Sequence, residues 1–179
     1  IDPLGEAFSR ETGELITTLA GVSNKTTVSD NENGKYFIFL SDRYGFNNPD
    51  AVWDSMQTEW VLTGDSFTLG CCVQPGEDIA GQIRTNTKDS VITLGWHYTG
   101  PLIELANLKE YAEPLSPKKV IWLYYEGNDL NFDLPYERKN PLLMKYLQDG
   151  FSQDLIHKQK EIDRLEALTL YTWMKSREA

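Results

Sequence analysis

Three short apolar runs, separated by segments with the period of a helix, limit what this chain can fold into. The runs span residues 60–62, 91–94 and 120–125, so they begin about thirty residues apart. Between them lie two segments with helical spacing of their apolar residues, 75–85 and 101–111. A strand, helix, strand, helix, strand order is typical of a parallel sheet with helical crossovers. We therefore predict an α/β domain.

The third run, residues 120–125, contains no charged residue. A continuous apolar run of this length is typical of a strand that is buried on both faces of a parallel sheet. We therefore expect this strand to be enclosed by its neighbours.

The first third of the chain differs in composition from the rest. Residues 1–58 are rich in Gly, Asn, Thr, Ser and Asp. This composition predicts an extended N-terminal segment that packs on a core formed by residues 59–179. A chain of 179 residues is long enough for one complete hydrophobic core, so we expect a single domain.

The segment after residue 140 predicts two further helices, at 141–148 and 152–175. Leu155, Ile162 and Leu165 recur on one side of the second helix. An apolar face that the sheet does not cover needs a partner, so this helix is a candidate surface for self-association.

Charge and hydropathy exclude two classes of partner. The chain carries 17 Lys and Arg against 27 Asp and Glu, a formal net charge of −10. Nucleic acids and anionic membrane surfaces bind clustered cations, so we expect neither as a partner. No apolar stretch reaches the roughly 18 to 20 residues of a membrane-spanning helix. The composition assigns no cellular compartment.

The acidic residues near position 130 do not have the spacing of a metal site. Glu126, Asp129, Asp133 and Glu137 match no calcium loop, and no histidine accompanies them. We therefore expect solvated acids and neither a metal nor another cofactor.

The two cysteines of the chain, Cys71 and Cys72, are adjacent. A disulfide between neighbours is strained, so we expect buried thiols. A reactive thiol pair is the alternative interpretation.

The ends of the three predicted strands carry the residue types of an acyl-transfer site. Parallel strands place their carboxyl ends at one edge of a sheet, and these ends are residues 64–66, 95–101 and 126–129. A serine in a tight turn from strand to helix, such as Ser66, presents its hydroxyl and its backbone N–H to the same space. Glycines in the second segment let the backbone approach a ligand, and Asn128 in the third offers an amide to a developing oxyanion.

These three segments together resemble the sequence blocks of the SGNH (GDSL-type) hydrolases. Residues 63–70 resemble the first block, 95–101 the glycine-bearing second block and 127–129 the third block. The resemblance covers about residues 42–129. It implies a three-layer, flavodoxin-like parallel sheet and the hydrolysis or transfer of acyl groups on esters.

The resemblance also implies roles for individual residues. Ser66 is the nucleophile, and the oxyanion is bound by the Ser66 N–H, by the Asn128 side chain and by a backbone N–H of the second block. The alignment leaves Gly95, Tyr98 and Gly100 open as the source of that third donor. Taken by itself, a serine at this position is more typical of a helix N-cap.

Four neighbours of these residues are candidates for substrate contact: Asp65, Trp96, His97 and Asp129. Trp96 either stacks on a sugar ring or belongs to the core. His97 either touches the substrate or bonds the backbone of its own loop.

The catalytic base is the part of the family pattern that matches least well. The family places its histidine in an Asp-x-x-His segment near the C-terminus, after at least one more strand. Asp154 and His157 have this spacing, but they lie on a predicted helix where His157 is about 135° from the centre of the apolar stripe. We therefore expect His157 to be exposed, and we expect the chain to be a C-terminally incomplete member whose base lies beyond Ala179.

The function expected from this resemblance is serine-dependent hydrolysis of an acyl ester on a small molecule, a carbohydrate or a lipid. One alternative is an O-acyltransferase that uses the same serine. Another is a non-catalytic module that binds acyl groups or carbohydrate and lacks the base. A structural module that self-associates through the C-terminal helix is a further alternative.

Overall fold

The N-terminal part of the chain forms a small antiparallel hairpin. The computed structural model describes residues 13–29, 31 and 34–178. Strands β1 (Thr26–Val28) and β2 (Ile38–Leu40) pair within this part, with Thr27 opposite Phe39. The first twelve residues of the predicted N-terminal segment lie outside the described residues.

The extended segment also completes the main hydrophobic core. Ile16, Leu19, Phe46 and Trp53 are buried in the same cluster as residues of the sheet. Trp53 belongs to a short 3-10 helix, Asp50–Asp54. The segment before residue 59 thus supplies large buried side chains to the core.

The centre of the fold is a three-stranded parallel sheet. β3 (Trp60–Gly64) lies between β4 (Val91–Thr93) and β5 (Lys119–Leu123). Both neighbours run parallel to β3, and Leu62 lies beside Thr93 on one side and Ile121 on the other. The predicted α/β class with a parallel sheet is confirmed.

Two helices connect β3 to β4, namely α1 (Ser66–Leu69) and α2 (Ile79–Thr87). The second begins later than its sequence period predicts, because Asp78 is the N-cap. The Asp78 carboxylate accepts a hydrogen bond of 2.8 Å from the Gly81 N–H and so fixes the first turn.

The connection from β4 to β5 starts with α3 (Pro101–Asn107), which has proline in its first turn as predicted. The same helix continues as a π-helical turn, Leu108–Ala112, and ends in a 3-10 turn, Glu113–Leu115.

The third strand is exposed where we expected it to be enclosed. Of the described residues, only β3 pairs with β5, so β5 is an edge strand. The side chains of Val120 and Trp122 are 49% and 48% exposed. The prediction of burial on both faces is therefore wrong, because the elements packed on the sheet leave these two side chains partly uncovered.

Three helices follow the sheet. A π-helical turn, Asp129–Asp133, leads into α4 (Leu134–Glu137), which is followed by α5 (Pro141–Lys145) and the long α6 (Leu155–Glu178). Within the described part of the chain, no helix combines the length and the apolar character needed to cross a bilayer.

The apolar face of α6 is covered by the chain itself. Leu155, Ile162 and Leu165 are buried in the main core. The reason for expecting self-association through this face is thereby removed, because these side chains already have intramolecular partners.

Candidate active site

Ser66 lies at the point where the central strand turns into a helix. It is the first residue of α1, and the preceding Asp65 caps this helix by accepting a 2.9 Å hydrogen bond from the Phe67 N–H. Gly64, the last residue of β3, has φ +155°, and a Cβ there would lie 2.6 Å from the Leu123 carbonyl oxygen. Only glycine fits between the two strand ends, so the turn that presents Ser66 is held against the end of β5.

The second segment packs directly against the same helix. A Cβ on Gly95 would lie 2.3 Å from the Leu69 nitrogen, so the Gly95 backbone touches the backbone of α1. The Thr93 hydroxyl reinforces this contact by donating a 2.9 Å hydrogen bond to the Thr68 carbonyl. The close approach of this loop therefore depends on glycine at position 95.

The structure separates the two glycines that the resemblance leaves open as oxyanion donors. The Gly100 N–H donates a 2.7 Å hydrogen bond to the Glu137 carboxylate, so it is already committed. The Gly95 N–H makes only a long contact of 3.4 Å with the Thr93 hydroxyl. Of the two glycines, Gly95 therefore has the N–H with the weaker internal hydrogen bond, and Tyr98 stays open as the other candidate.

Asn128 lies at the start of the π-helical turn that follows β5. Its Nδ2 donates a 2.8 Å hydrogen bond to Asp133, which leaves one N–H of the amide for another acceptor. Its Oδ1 is buried and has no hydrogen-bond partner among the described residues. The ring of Tyr125 lies 5.3 Å from that of Phe67, centroid to centroid, and joins this third segment to α1.

Buried carboxyl groups lie next to these residues. Asp129 is fully buried, and its Oδ2 accepts a 2.7 Å hydrogen bond from the Tyr125 N–H. Burial raises the pKa of Asp129, and the nearby charges of Asp65 and Asp133 raise it further. The edge of the sheet that carries Ser66 is therefore strongly acidic.

Glu104, on α3, is a further member of this acidic cluster. Its Oε2 accepts a 2.7 Å hydrogen bond from the Trp122 indole N–H, whereas its Oε1 is buried and has no partner among the described residues. Burial raises the pKa of Glu104 to about 8, and the charges of Asp129, Glu137 and Asp65 add to this shift. Glu104 is therefore mostly protonated at neutral pH.

Glu137 anchors the start of α3. Its carboxylate accepts hydrogen bonds from the N–H groups of Gly100 and Leu102, at 2.7 and 2.9 Å. Burial nevertheless raises its pKa above the usual value. Together with the buried Asp129, this position shows that the expectation of solvated acids in this segment is wrong for two of its four members.

Trp96 and His97 point toward the N-terminal segment. The Trp96 ring packs edge-on against Phe39, with centroids 6.4 Å apart, in a small core cluster. The His97 Nε2 lies 2.6 Å from the Ser29 hydroxyl. The Trp96 contact corresponds to the core alternative given above, whereas the sequence did not indicate the contact of His97 with Ser29.

Asp154 and His157 form a pair, but not at this site. The Asp154 Oδ1 lies 2.6 Å from the His157 Nδ1, and the His157 side chain is 75% exposed, as its helical position predicts. The start of α6 is anchored by Glu110, which accepts a hydrogen bond from the Leu155 N–H. Glu110 lies ten residues along the α3 helix from Gly100, or about 15 Å away.

Ser66, Gly95 and Asn128 thus follow three adjacent parallel strands, whereas the His97 side chain contacts Ser29 and the His157 side chain contacts Asp154. No set of three His, Cys, Asp or Glu residues in the described part of the chain is arranged to hold a metal ion. Glu104 was not predicted as part of this cluster, because in the sequence it is only an acidic residue in the first turn of a helix.

A separate cleft of about 470 Å³ lies between the hairpin and α2. Its lining includes Phe39, Asn47 and Arg84, and none of the predicted site residues is part of it. The candidate active site therefore lies outside this cleft.

No family model matches this chain, and neither the curated proteins nor the solved structures contain a match.

Proposed function

We propose that this chain is a serine-dependent ester hydrolase of the SGNH (GDSL) type, built on a three-layer, flavodoxin-like sheet. Its substrate is an acyl ester on a small molecule, a carbohydrate or a lipid. One observation carries the proposal: the three segments that resemble the family's blocks follow three adjacent parallel strands, with Ser66 after the central one. Because these strands are parallel, the three segments lie at the same edge of the sheet, as an acyl-transfer site requires.

In the proposed reaction the Ser66 Oγ attacks the acyl carbonyl. The negative charge that develops on the carbonyl oxygen is bound by the N–H groups of Ser66 and Gly95 and by the free N–H of the Asn128 amide. Asp133 supports this arrangement because its hydrogen bond fixes the orientation of that amide. Loss of one such donor typically costs about 2.7 to 4 kcal/mol of transition-state stabilisation.

The acidic surroundings favour an uncharged ester. The charge of Asp65 raises the pKa values of Asp129 and Asp133, and the charge of Asp133 also raises that of Asp129. A carboxylate or phosphate on the substrate would be repelled by this cluster. We therefore expect neutral acyl esters to react faster than esters of the same length that carry a negative charge.

The position of His157 means that another group must accept the proton of Ser66. A serine without a base keeps its oxyanion donors but loses several orders of magnitude in rate. We therefore expect this chain to hydrolyse esters slowly and to be accelerated by a base added to the solution.

Imidazole rescue tests this proposal. We expect p-nitrophenyl acetate hydrolysis by the wild type to exceed that by Ser66→Ala, and the difference to grow with added imidazole. Subtracting the Ser66→Ala rate at each imidazole concentration removes direct hydrolysis by imidazole. Ser55→Ala, which alters an exposed serine outside the site, is the matched control and should behave as wild type.

Two further variants refine the outcome. Asn128→Ala should lower the rate that depends on Ser66 by about 100-fold or more, because an oxyanion donor is lost. His157→Ala should leave it unchanged. Equal rates for wild type and Ser66→Ala at every imidazole concentration would contradict the proposal, and loss of rate in His157→Ala would contradict the role of added base.

The second candidate function is a non-catalytic module that binds acyl groups or carbohydrate. The observation that favours it is that His97 is bonded to Ser29 and His157 lies at the far end of α3. Ligand-observed NMR with an acetylated sugar separates the two functions. Binding without hydrolysis at any imidazole concentration would support the module.

A further inference from the structure

The two cysteines of the chain meet in the turn that follows α1. The Sγ atoms of Cys71 and Cys72 lie 3.1 Å apart, and both residues are partly exposed instead of buried as predicted. We propose that these two thiols are a site of reversible oxidation, at which a low-molecular-weight disulfide closes a bond between the adjacent cysteines. The reaction requires nothing of the proposed hydrolase.

The backbone of the turn brings the thiols together. Gly70 ends α1 in the left-handed conformation, with φ +85°, and Cys72 repeats this conformation with φ +69°. Neighbouring side chains in an extended chain point to opposite sides, so the turn is what places these two side by side. A non-glycine residue in this region costs roughly 1 to 2 kcal/mol, which makes Cys72 a position that needs an explanation.

Hydrogen bonds hold this turn in place. The Cys71 N–H donates a 3.0 Å bond to the Ser66 carbonyl, and the Gly70 N–H donates a 3.2 Å bond to the Phe67 carbonyl. The Asn47 side chain fixes the end of the helix by donating a 2.9 Å bond to the Leu69 carbonyl. The contact between the thiols is therefore set by the surrounding structure and not by sequence adjacency alone.

The chemistry balances with one equivalent of the external disulfide. The thiolate of one cysteine attacks that disulfide, which forms a mixed disulfide and releases one thiol. The second cysteine loses its proton and attacks the protein sulfur of the mixed disulfide, which forms the Cys71–Cys72 bond and releases the other thiol. Two protein thiols are oxidised and one external disulfide is reduced to two thiols.

Proximity favours the second step over capture of another external molecule. The sulfur atoms need to approach from 3.1 Å to about 2.05 Å. Adjacent Cα atoms are about 3.8 Å apart, less than the 4.4 to 6.8 Å usual for a disulfide, so the closed ring is strained. Strained disulfides are easily reduced, so the bond should form and open in response to the surrounding thiol pool.

Oxidised glutathione tests the proposal directly. We expect the native wild type to lose the mass of two hydrogen atoms, to retain no glutathione and to run as a monomer on a non-reducing gel. Because the chain contains only two cysteines, such a loss in a monomer can come only from Cys71 and Cys72. Dithiothreitol should restore two titratable thiols. Retention of glutathione on the wild type, or disulfide-linked dimers, would overturn the proposal.

Two controls test whether the folded turn, and not only the adjacency of the two cysteines, favours the internal disulfide. Cys72→Ser should retain one glutathione, because its mixed disulfide has no second thiol to attack it. The chain denatured in urea should close the internal bond at least about tenfold more slowly than the native chain, because the turn is lost. Equal rates in the native and denatured states would overturn the role that we assign to the turn.

Discussion

The two outer strands of the parallel sheet are similar in composition but very different in environment. All three residues of β4 are buried, whereas Val120 and Trp122 of β5 are about half exposed. Both strands have β3 as their one neighbour among the described strands. The difference therefore arises from the elements that pack on the faces of each strand and along its outer edge.

Side chains close the outer edge of β4. The Asn48 amide donates a hydrogen bond to the Thr93 carbonyl and accepts one from the Thr93 N–H, both of 2.9 Å. Arg84 donates from Nε and Nη2 to the Val91 carbonyl, at 3.0 and 2.9 Å. One amide and one guanidinium thus take the place of a neighbouring strand.

The outer side of β5 has less cover. The Trp122 indole of β5 donates a hydrogen bond to Glu104, a carboxyl group with a raised pKa on the helix that packs against β3. Burial of a strand therefore depends on the elements that pack around it. Polar side chains can also satisfy the backbone N–H and C=O groups at a sheet edge, as those of Asn48 and Arg84 do on β4.

The largest effect is expected where the edge of β4 is closed. Asn48→Ala removes four hydrogen bonds, those with Thr93 and those with Asp42 and Arg84, and leaves buried polar groups unsatisfied. We expect it to lower the free energy of unfolding by about 3 to 4 kcal/mol, measured by urea denaturation. Asn86→Ala, at an exposed position of α2, should cost less than about 1 kcal/mol. Equal costs would mean that Asn48 does not close the edge.

A matched pair of valines compares the two strands directly. Val91 is fully buried in β4, and Val120 is half exposed in β5. We expect Val91→Ala to cost about 2 to 3 kcal/mol and Val120→Ala less than about 1 kcal/mol in the same denaturation experiment. If Val120→Ala costs as much as Val91→Ala, β5 is covered in solution and the contrast between the strands fails.

The pH dependence of the free energy of unfolding tests the contact between Glu104 and Trp122 of β5. The pKa of Glu104 is raised from 4.5 to about 8, so the folded state keeps a proton that the unfolded chain loses. The resulting stabilisation is complete below pH 4.5 and is lost as pH rises through about 8. We expect the free energy of unfolding to fall by up to about 1 kcal/mol per pH unit between pH 5 and 7.

Glu104→Gln tests the origin of this slope. The amide keeps an acceptor for the Trp122 indole but carries no titratable proton, so the variant should have a flatter profile and greater stability than wild type at pH 8. Glu113→Gln, at an exposed position, should keep the wild-type profile. An unchanged slope in Glu104→Gln would assign the pH dependence to another group.

The smallest effect is expected at the first residue of β5. The Lys119 Nζ lies 4.0 Å from the centroid of the Trp60 ring, a cation–π contact at an exposed position. We expect Lys119→Ala to cost about 0.5 to 1 kcal/mol in urea denaturation, and Lys119→Arg to cost less. Equal losses in both variants would mean that the charge over the ring contributes nothing.

The parallel sheet could be predicted because its signals are local. The three apolar runs correspond to β3, β4 and β5, and Pro101 marks the start of α3. The meeting of Ser66, Gly95 and Asn128 followed from the topology, since parallel strands end at one edge. These predictions needed only periodicity and the order of the elements.

The side-chain contacts that close the edge of β4 and anchor α3 could not be predicted, because they join residues that are far apart in the sequence. Asn48 lies 45 positions before Thr93, and nothing in its local sequence indicates that its amide will pair with a strand. The same holds for Glu137, which accepts a hydrogen bond from the Gly100 N–H across 37 positions. Both contacts form only after the sheet and its helices have come together.

The open side of β5 has a consequence for handling the protein. A strand with unpaired backbone groups and apolar side chains is a template on which another chain can add, and such edges promote aggregation. Lys118 and Lys119 precede the apolar residues of β5, and positive charges at this position oppose the stacking of identical strands. Replacing both lysines should therefore reduce the yield of refolding at high protein concentration more than it reduces the stability of the folded chain.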